Sequence, residues 1–177
     1  MRLTGGEFRG RILQVPKGDA VRPATDKVRQ AVFNSLLGRI DLDGVHVMDG
    51  FCGSGSYGLE ALSRGAQSCL FIDKDRTSLS FCKKNIEQLG VLDKCQVMQK
   101  DVLSVPPRSE EQSLIDLLFL DPPYHKGLLL PAFEHLCKAA WLSPDAVCVL
   151  ECEKDLDVPF GDQKSYGAIK IIYTAPL

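Results

Sequence analysis

The sequence predicts an α/β protein built on a doubly wound, mostly parallel sheet, and three observations carry that reading. From residue 45 onward, strand-like and helix-like segments alternate, as a parallel sheet with crossover helices requires. The first strand-like run, 45–49, passes into a glycine-rich turn, Gly50-Phe51-Cys52-Gly53-Ser54-Gly55-Ser56-Tyr57-Gly58. Four acids, Asp49, Asp73, Asp101 and Asp121, end four successive strand-like runs, on the edge where open α/β sheets bind ligands.

Each element has its own signal. Residues 2–4 and 11–15 flank a glycine-bearing stretch, 5–10, which predicts a small N-terminal hairpin. A helix over 26–38 follows, with Thr25 as its N-cap and Val28, Val32, Leu36 and Leu37 as its buried face. Arg29 and Asn34 fall elsewhere on its wheel. A short helix over 59–64 stops at Gly65. Strand 68–73 leads to a helix over 76–89 that aligns Leu79, Cys82, Ile86 and Leu89 and stops at Gly90. Strand 95–101 precedes a polar, proline-bearing loop, 104–112. The nearly continuous apolar run 114–121 reads as a central strand covered on both faces. Helix 127–140, strand 146–151 and a late strand 168–174 complete the chain, and 165–167 end an antiparallel partner of that last strand.

The 177 residues suit one domain, 21–177, preceded by a basic hairpin or arm, 1–20. Hydrophobic residues make up 45% and charged residues 25%, normal for a globular protein. No apolar run approaches the ~18 residues of a membrane span. The N-terminus lacks an apolar secretory segment, and the seven cysteines form no CxxC pair. These features predict a cytoplasmic protein with reduced thiols, no metal site and a monomeric state. Charge is uneven. The first 39 residues hold eight basic and three acidic side chains, a net +5; the remainder holds thirteen and twenty, a net −7. A basic arm on an acidic body suits a polyanionic partner such as RNA, with Arg2, Arg9 and Arg11 on or beside the hairpin as candidate phosphate contacts; Arg22, Thr25 and Arg29, near the helix start, are candidates either for that contact or for touching cofactor or target nucleotide in the active site.

Gly53-x-Gly55-x-x-Gly58 has the spacing of a phosphate-cradling turn. It also suits a turn passing under the amino-acid part of S-adenosylmethionine. Asp49 favours the second reading, because a carboxylate repels a pyrophosphate and attracts an ammonium and a sulfonium. Phe51, Cys52, Gly53, Ser54 and Gly55 then supply the turn. Asp73, followed by Lys74, can bridge two ribose hydroxyls. Asp101 and Val102 would meet an adenine by its amino group and its ring.

Asp121, Pro122, Pro123 and Tyr124 carry the chemistry. Two prolines stiffen the turn and remove two N–H donors. The Asp121 carboxylate and the Pro122 carbonyl can accept both hydrogens of an exocyclic amine, and Tyr124 offers a face for base stacking. His125, beside them, is a candidate base or an ordinary loop histidine.

This last segment resembles motif IV of amino-group N-methyltransferases, and residues 47–58 resemble their motif I. With the run Arg22-Pro23-Ala24-Thr25-Asp26-Lys27-Val28-Arg29-Gln30-Ala31-Val32-Phe33-Asn34, then Gly58-Leu59-Glu60-Ala61-Leu62-Ser63-Arg64-Gly65-Ala66, the ordered set resembles the RsmD family of bacterial 16S ribosomal RNA (guanine-N2)-methyltransferases. The likeness extends from Gly6-Glu7-Phe8-Arg9-Gly10-Arg11 to Tyr166-Gly167. It implies a class I, Rossmann-like methyltransferase fold, S-adenosylmethionine as cofactor, and a guanine of 16S rRNA, in free RNA or in a small subunit, as substrate. Gly50, Cys52, Ser56 and Tyr57 depart from the usual motif I but keep its glycine frame. The competing readings are adenine-N6 methylation of DNA or RNA, protein glutamine methylation, a nicotinamide-dependent oxidoreductase, and a non-catalytic RNA-binding module.

Overall fold

The computed structural model describes residues 1–18 and 23–177. In chain order the elements are α1 (Pro23–Leu36), β1 (His46–Gly50), α2 (Ser56–Ser63), β2 (Ser68–Asp73), α3 (Arg76–Leu89), β3 (Cys95–Gln99), β4 (Ile115–Leu120), α4 (Leu129–Lys138), β5 (Leu142–Glu153), β6 (Asp162–Tyr166) and β7 (Ile169–Thr174). One seven-stranded sheet has the order β3-β2-β1-β4-β5-β7-β6. The pairs from β3 to β5 are parallel; β7 pairs antiparallel with both β5 and β6. The strand order reverses between β1 and β4, so the crevice beyond their carboxyl ends is the switch point where such sheets bind ligands.

Two apolar layers sandwich the sheet. On one side Val47, Phe71, Leu117, Phe119 and Val149 meet Val32 and Phe33 of α1, Leu59 and Leu62 of α2, and Leu79, Cys82 and Ile86 of α3. On the other, Met48, Ile72, Leu118, Leu120 and Leu150 meet Phe133 and Leu136 of α4 and Trp141. Alternate residues of each central strand supply the two layers, which is why β4, Asp116 apart, reads as a run of apolar residues. β5 is longer than the predicted 146–151, because it pairs with β4 as early as Leu142 and with β7 as late as Glu153.

Three expectations for the first helix need correction. Helix α1 begins at Pro23, so Thr25 lies inside its first turn rather than at its N-cap; a proline is well placed there because the first N–H has no helical partner. Leu37 is 70% exposed and Phe33 takes the buried position instead. Arg29 is fully buried. Its guanidinium lies 3.6 Å from Glu60 and 3.1 Å from Asp26, and it donates to the Arg2 carbonyl.

The N-terminal segment forms a short hairpin-like loop. Arg2 and Ile12 make an antiparallel bridge, and Leu3 and Leu13 are buried in the first apolar layer. Glu60 of α2 ties the segment down: buried, it accepts from Thr4 N–H at 3.0 Å and from the Thr4 hydroxyl. Ser63 adds a bond to the Gly5 carbonyl at 2.7 Å. A side chain at Gly6 would run into the Ser63 carbonyl, so this contact admits only glycine.

Candidate active site

A cavity of about 730 Å³ opens at the switch point, lined by Phe51, Asp73, Lys74, Asp75, Ser78, Asp121, Pro122, Pro123, Tyr124, Lys126 and Leu128. Thus the carboxyl ends of β2 and β4, the turn after β1 and the N-terminus of α3 all border it.

Each glycine of the turn answers a different demand. Gly53 has φ 56° and open space where a Cβ would stand, so it is the left-handed backbone and not crowding that calls for glycine there. At Gly58 a Cβ would lie 2.4 Å from the Phe71 ring, so α2 can press on β2 only without one. Phe51 also has a positive φ, 58°, a strained conformation for a bulky side chain. The turn is pinned from below: Gly53 N–H donates to Asp73 at 2.9 Å, Gly58 N–H donates to Asp49 at 2.9 Å, and Cys52 N–H donates to the Ile72 carbonyl at 3.1 Å.

Asp49 is 2% exposed and stands beneath the turn rather than on the cavity wall. Burial pushes its carboxyl up to about 8, the Gly58 N–H opposes that, and the charge of Asp73 adds to it. Asp73 is half-buried; its Oδ1 accepts from Asp75 N–H at 2.9 Å. Each of its oxygens therefore holds one backbone donor and keeps acceptor capacity toward the cavity. Lys74 is exposed at the rim, 3.9 Å from Asp101. Asp101 caps the short 3-10 turn Val102–Ser104 through Leu103 N–H at 3.0 Å, and Val102 is buried in the second apolar layer. Cys52, Gly53, Ser54, Gly55, Asp101 and Val102 are therefore near the cavity's supports but not among its lining residues.

Beyond the carboxyl end of β4, Asp121 and Tyr124 are half-buried, Pro122 is buried and Pro123 is exposed. The Tyr124 hydroxyl donates to Glu151 at 2.6 Å. His125, exposed, turns to Glu153, with Nδ1 3.7 Å from its carboxylate, and does not line the cavity.

Of the residues expected to contact RNA, Arg2, Arg9 and Arg11 are exposed on the N-terminal loop. Arg2 donates to the Gly10 carbonyl at 3.1 Å and Arg11 to the Gln88 carbonyl at 3.0 Å. Arg29 is excluded from that role by its burial against Glu60. Arg22 and the Thr25 side chain lie outside the described residues.

Four lining residues escaped the sequence reading: Asp75, Ser78, Lys126 and Leu128. Asp75 had a usable signal, an acid immediately before a helix. It accepts from the Ser78 N–H and hydroxyl, and those bonds hold its carboxyl below the usual range. Among the described residues no cluster of three or more His, Cys, Asp or Glu side chains could hold a metal, and no helix is long and apolar enough to cross a membrane.

Comparison with known proteins supplies the relatives. The family model described as "Conserved hypothetical protein 95" matches residues 1–171. A Haemophilus influenzae protein named "Ribosomal RNA small subunit methyltransferase D" is 37% identical over 156 residues, 88% of this chain and 80% of the relative. The solved structure of a Thermus thermophilus hypothetical protein superposes with a TM-score of 0.84 at 28% identity, covering 99% of both chains. A Thermus thermophilus 16S rRNA N2 G1207 methyltransferase, solved with AdoMet and guanosine, has a TM-score of 0.70 at 19% identity over all of this chain and 49% of that one. At that identity the likeness concerns the fold, which is the class I methyltransferase fold.

Proposed function

The chain belongs to the family described as Conserved hypothetical protein 95, the RsmD-like family, and on that premise we propose that it methylates small-subunit ribosomal RNA with S-adenosylmethionine, at the exocyclic N2 amine of a guanine. The observation that carries the finer part is that Asp121, Pro122, Pro123 and Tyr124, at the carboxyl end of β4, line one cavity together with Asp73 and Phe51.

The residues present suit the cofactor. Asp73 keeps acceptor capacity for a ribose diol, and the rim combines carboxylates with the aromatic Phe51. Bound there, the cofactor supplies an electrophilic methyl group on a sulfonium. The protein's part is to present the amine. The Asp121 carboxylate and the Pro122 carbonyl accept its two hydrogens, which localises the nitrogen lone pair for in-line attack. On taking the methyl group the nitrogen would become acidic, and Asp121 or water would accept its proton. Tyr124 stacks on the base, and Arg2, Arg9 and Arg11 attract phosphates of the RNA.

The decisive experiment gives the protein labelled cofactor and bacterial small subunits that lack the modification, then maps the labelled base. Label on a guanine N2 is the expected outcome. Label on an adenine, or on protein alone, would overturn the assignment.

A further inference from the structure

Glu151 is buried, 6% exposed, near the carboxyl end of β5. One carboxylate oxygen accepts from the Tyr124 hydroxyl at 2.6 Å and the other from the Tyr57 hydroxyl at 2.7 Å. Among the described residues no cation forms an ion pair with it. A buried carboxylate without hydrogen bonds is costly, and two short bonds from phenols are the compensation this structure provides.

The two tyrosines are not equivalent. Tyr57 is enclosed: it is buried in the first turn of α2, and its ring stacks on Phe119 at 4.9 Å between centroids. Burial and the Glu151 carboxylate push its phenol well above the ordinary value, so it stays a donor. Tyr124 stands in a loop at the cavity mouth, with two left-handed residues after it, His125 at φ 59° and Gly127 at φ 63°. Its hydroxyl is held by Glu151, which is itself anchored to α2 through Tyr57.

The geometry points to Glu151 as a positioning residue that anchors the outer end of the Tyr124 ring and ties it to the helix that follows the glycine turn. This rests on the stacking role given to Tyr124 above. The carboxylate takes no part in the chemistry. It keeps the side chain from swinging about its Cα–Cβ bond before the target base arrives, so that ordering cost is not met at the moment of binding. The Tyr124 hydroxyl thereby acquires a function distinct from the stacking face.

The test uses the full chain as wild type, Tyr124→Phe, Glu151→Ala, Glu151→Gln and the double variant Tyr124→Phe/Glu151→Ala. Expected are kcat losses of roughly tenfold for Tyr124→Phe and for Glu151→Ala, the double variant no worse than the lower single. Cofactor Kd should stay at the wild-type value, and Glu151→Gln, which keeps an acceptor, should recover part of the loss. A second readout is independent of activity. With tyrosine labelled at Cζ and the four signals assigned by Tyr→Phe replacement, Glu151→Ala should move those of Tyr57 and Tyr124 and leave Tyr166 and Tyr173 in place. Wild-type kcat in Tyr124→Phe, additive losses in the double variant, or an unmoved Tyr124 signal would each overturn the inference. If the wild type modified no RNA, the functional reading would fall, while the labelled spectra would still decide whether Glu151 holds the ring.

Discussion

Replacing Asp49 by asparagine should stabilise the protein near pH 8 and leave its stability near pH 4 almost unchanged. The carboxyl is 2% exposed and accepts from Gly58 N–H at 2.9 Å. Burial lifts it from 3.8 to about 8 in the folded chain. Between those values the folded protein keeps a proton that the unfolded chain has released, so stability declines as pH rises and levels off above about 8. Each tenfold difference in proton affinity between the folded and unfolded chains corresponds to about 1.4 kcal/mol, which sets a ceiling of about 5–6 kcal/mol; local relaxation and water entry reduce this to about 2–3 kcal/mol. Asparagine mimics the protonated carboxyl, keeps an acceptor for Gly58 and does not titrate. Urea unfolding of both proteins at pH 4.5, 6, 7 and 8 is the assay, because other titrating groups cancel in the difference. The gap in ΔG should open with rising pH in favour of asparagine. Parallel curves, or a less stable variant at pH 8, would refute the view that Asp49 is a buried, proton-holding prop.

Three further outcomes follow from the site. Asp73→Ala should weaken S-adenosylmethionine binding by about 1.5–3 kcal/mol for each charge-assisted bond removed, read by calorimetry; unchanged affinity in a folded variant would remove Asp73 from the cofactor site. Asp121→Ala should abolish methyl transfer while cofactor binding persists, and measurable turnover near the wild-type rate would rule out the amine-orienting role. Arg9→Glu with Arg11→Glu should weaken RNA binding and flatten its log–log salt dependence by ~0.7 for each phosphate the loop no longer neutralises, with the melting temperature held; equal slopes in filter binding would leave the loop as ordinary solvated surface.

The choice of charge reversal over truncation in that last experiment comes from the packing. Charge asymmetry alone suggests an arm that could be removed. Leu3 and Leu13, however, are buried in the main core, and Thr4 supplies donors to the buried Glu60. Deleting residues 1–17 would open the core and strip Glu60 of those bonds, so a loss of methylation would say nothing about RNA.

What the sequence disclosed and what it hid follow from the range of the interactions involved. Helix α3 falls where residues 76–89 were read because its limits are local: the Asp75 side chain caps one end through Ser78 N–H, and Gly90 adopts φ 69° at the other. The strand-end acids and the proline turn were legible for the same reason, since each is a residue type at a fixed offset from an apolar run. Arg29 was not. A helical wheel places an arginine on the outside by default, and its reason for being inside, Glu60, lies 31 residues away on another helix. Glu151 is the same kind of case. It closes an apolar run like the other strand-end acids, yet only the pairing of β5 between β4 and β7 buries it within reach of two tyrosines that are 67 residues apart in the chain. The signature residues Arg29, Glu60, Ser63 and Arg64 thus form the joint between the N-terminal loop, α1 and α2. The chemistry is left to the strand ends, where backbone and side-chain acceptors can face a ligand without being enclosed.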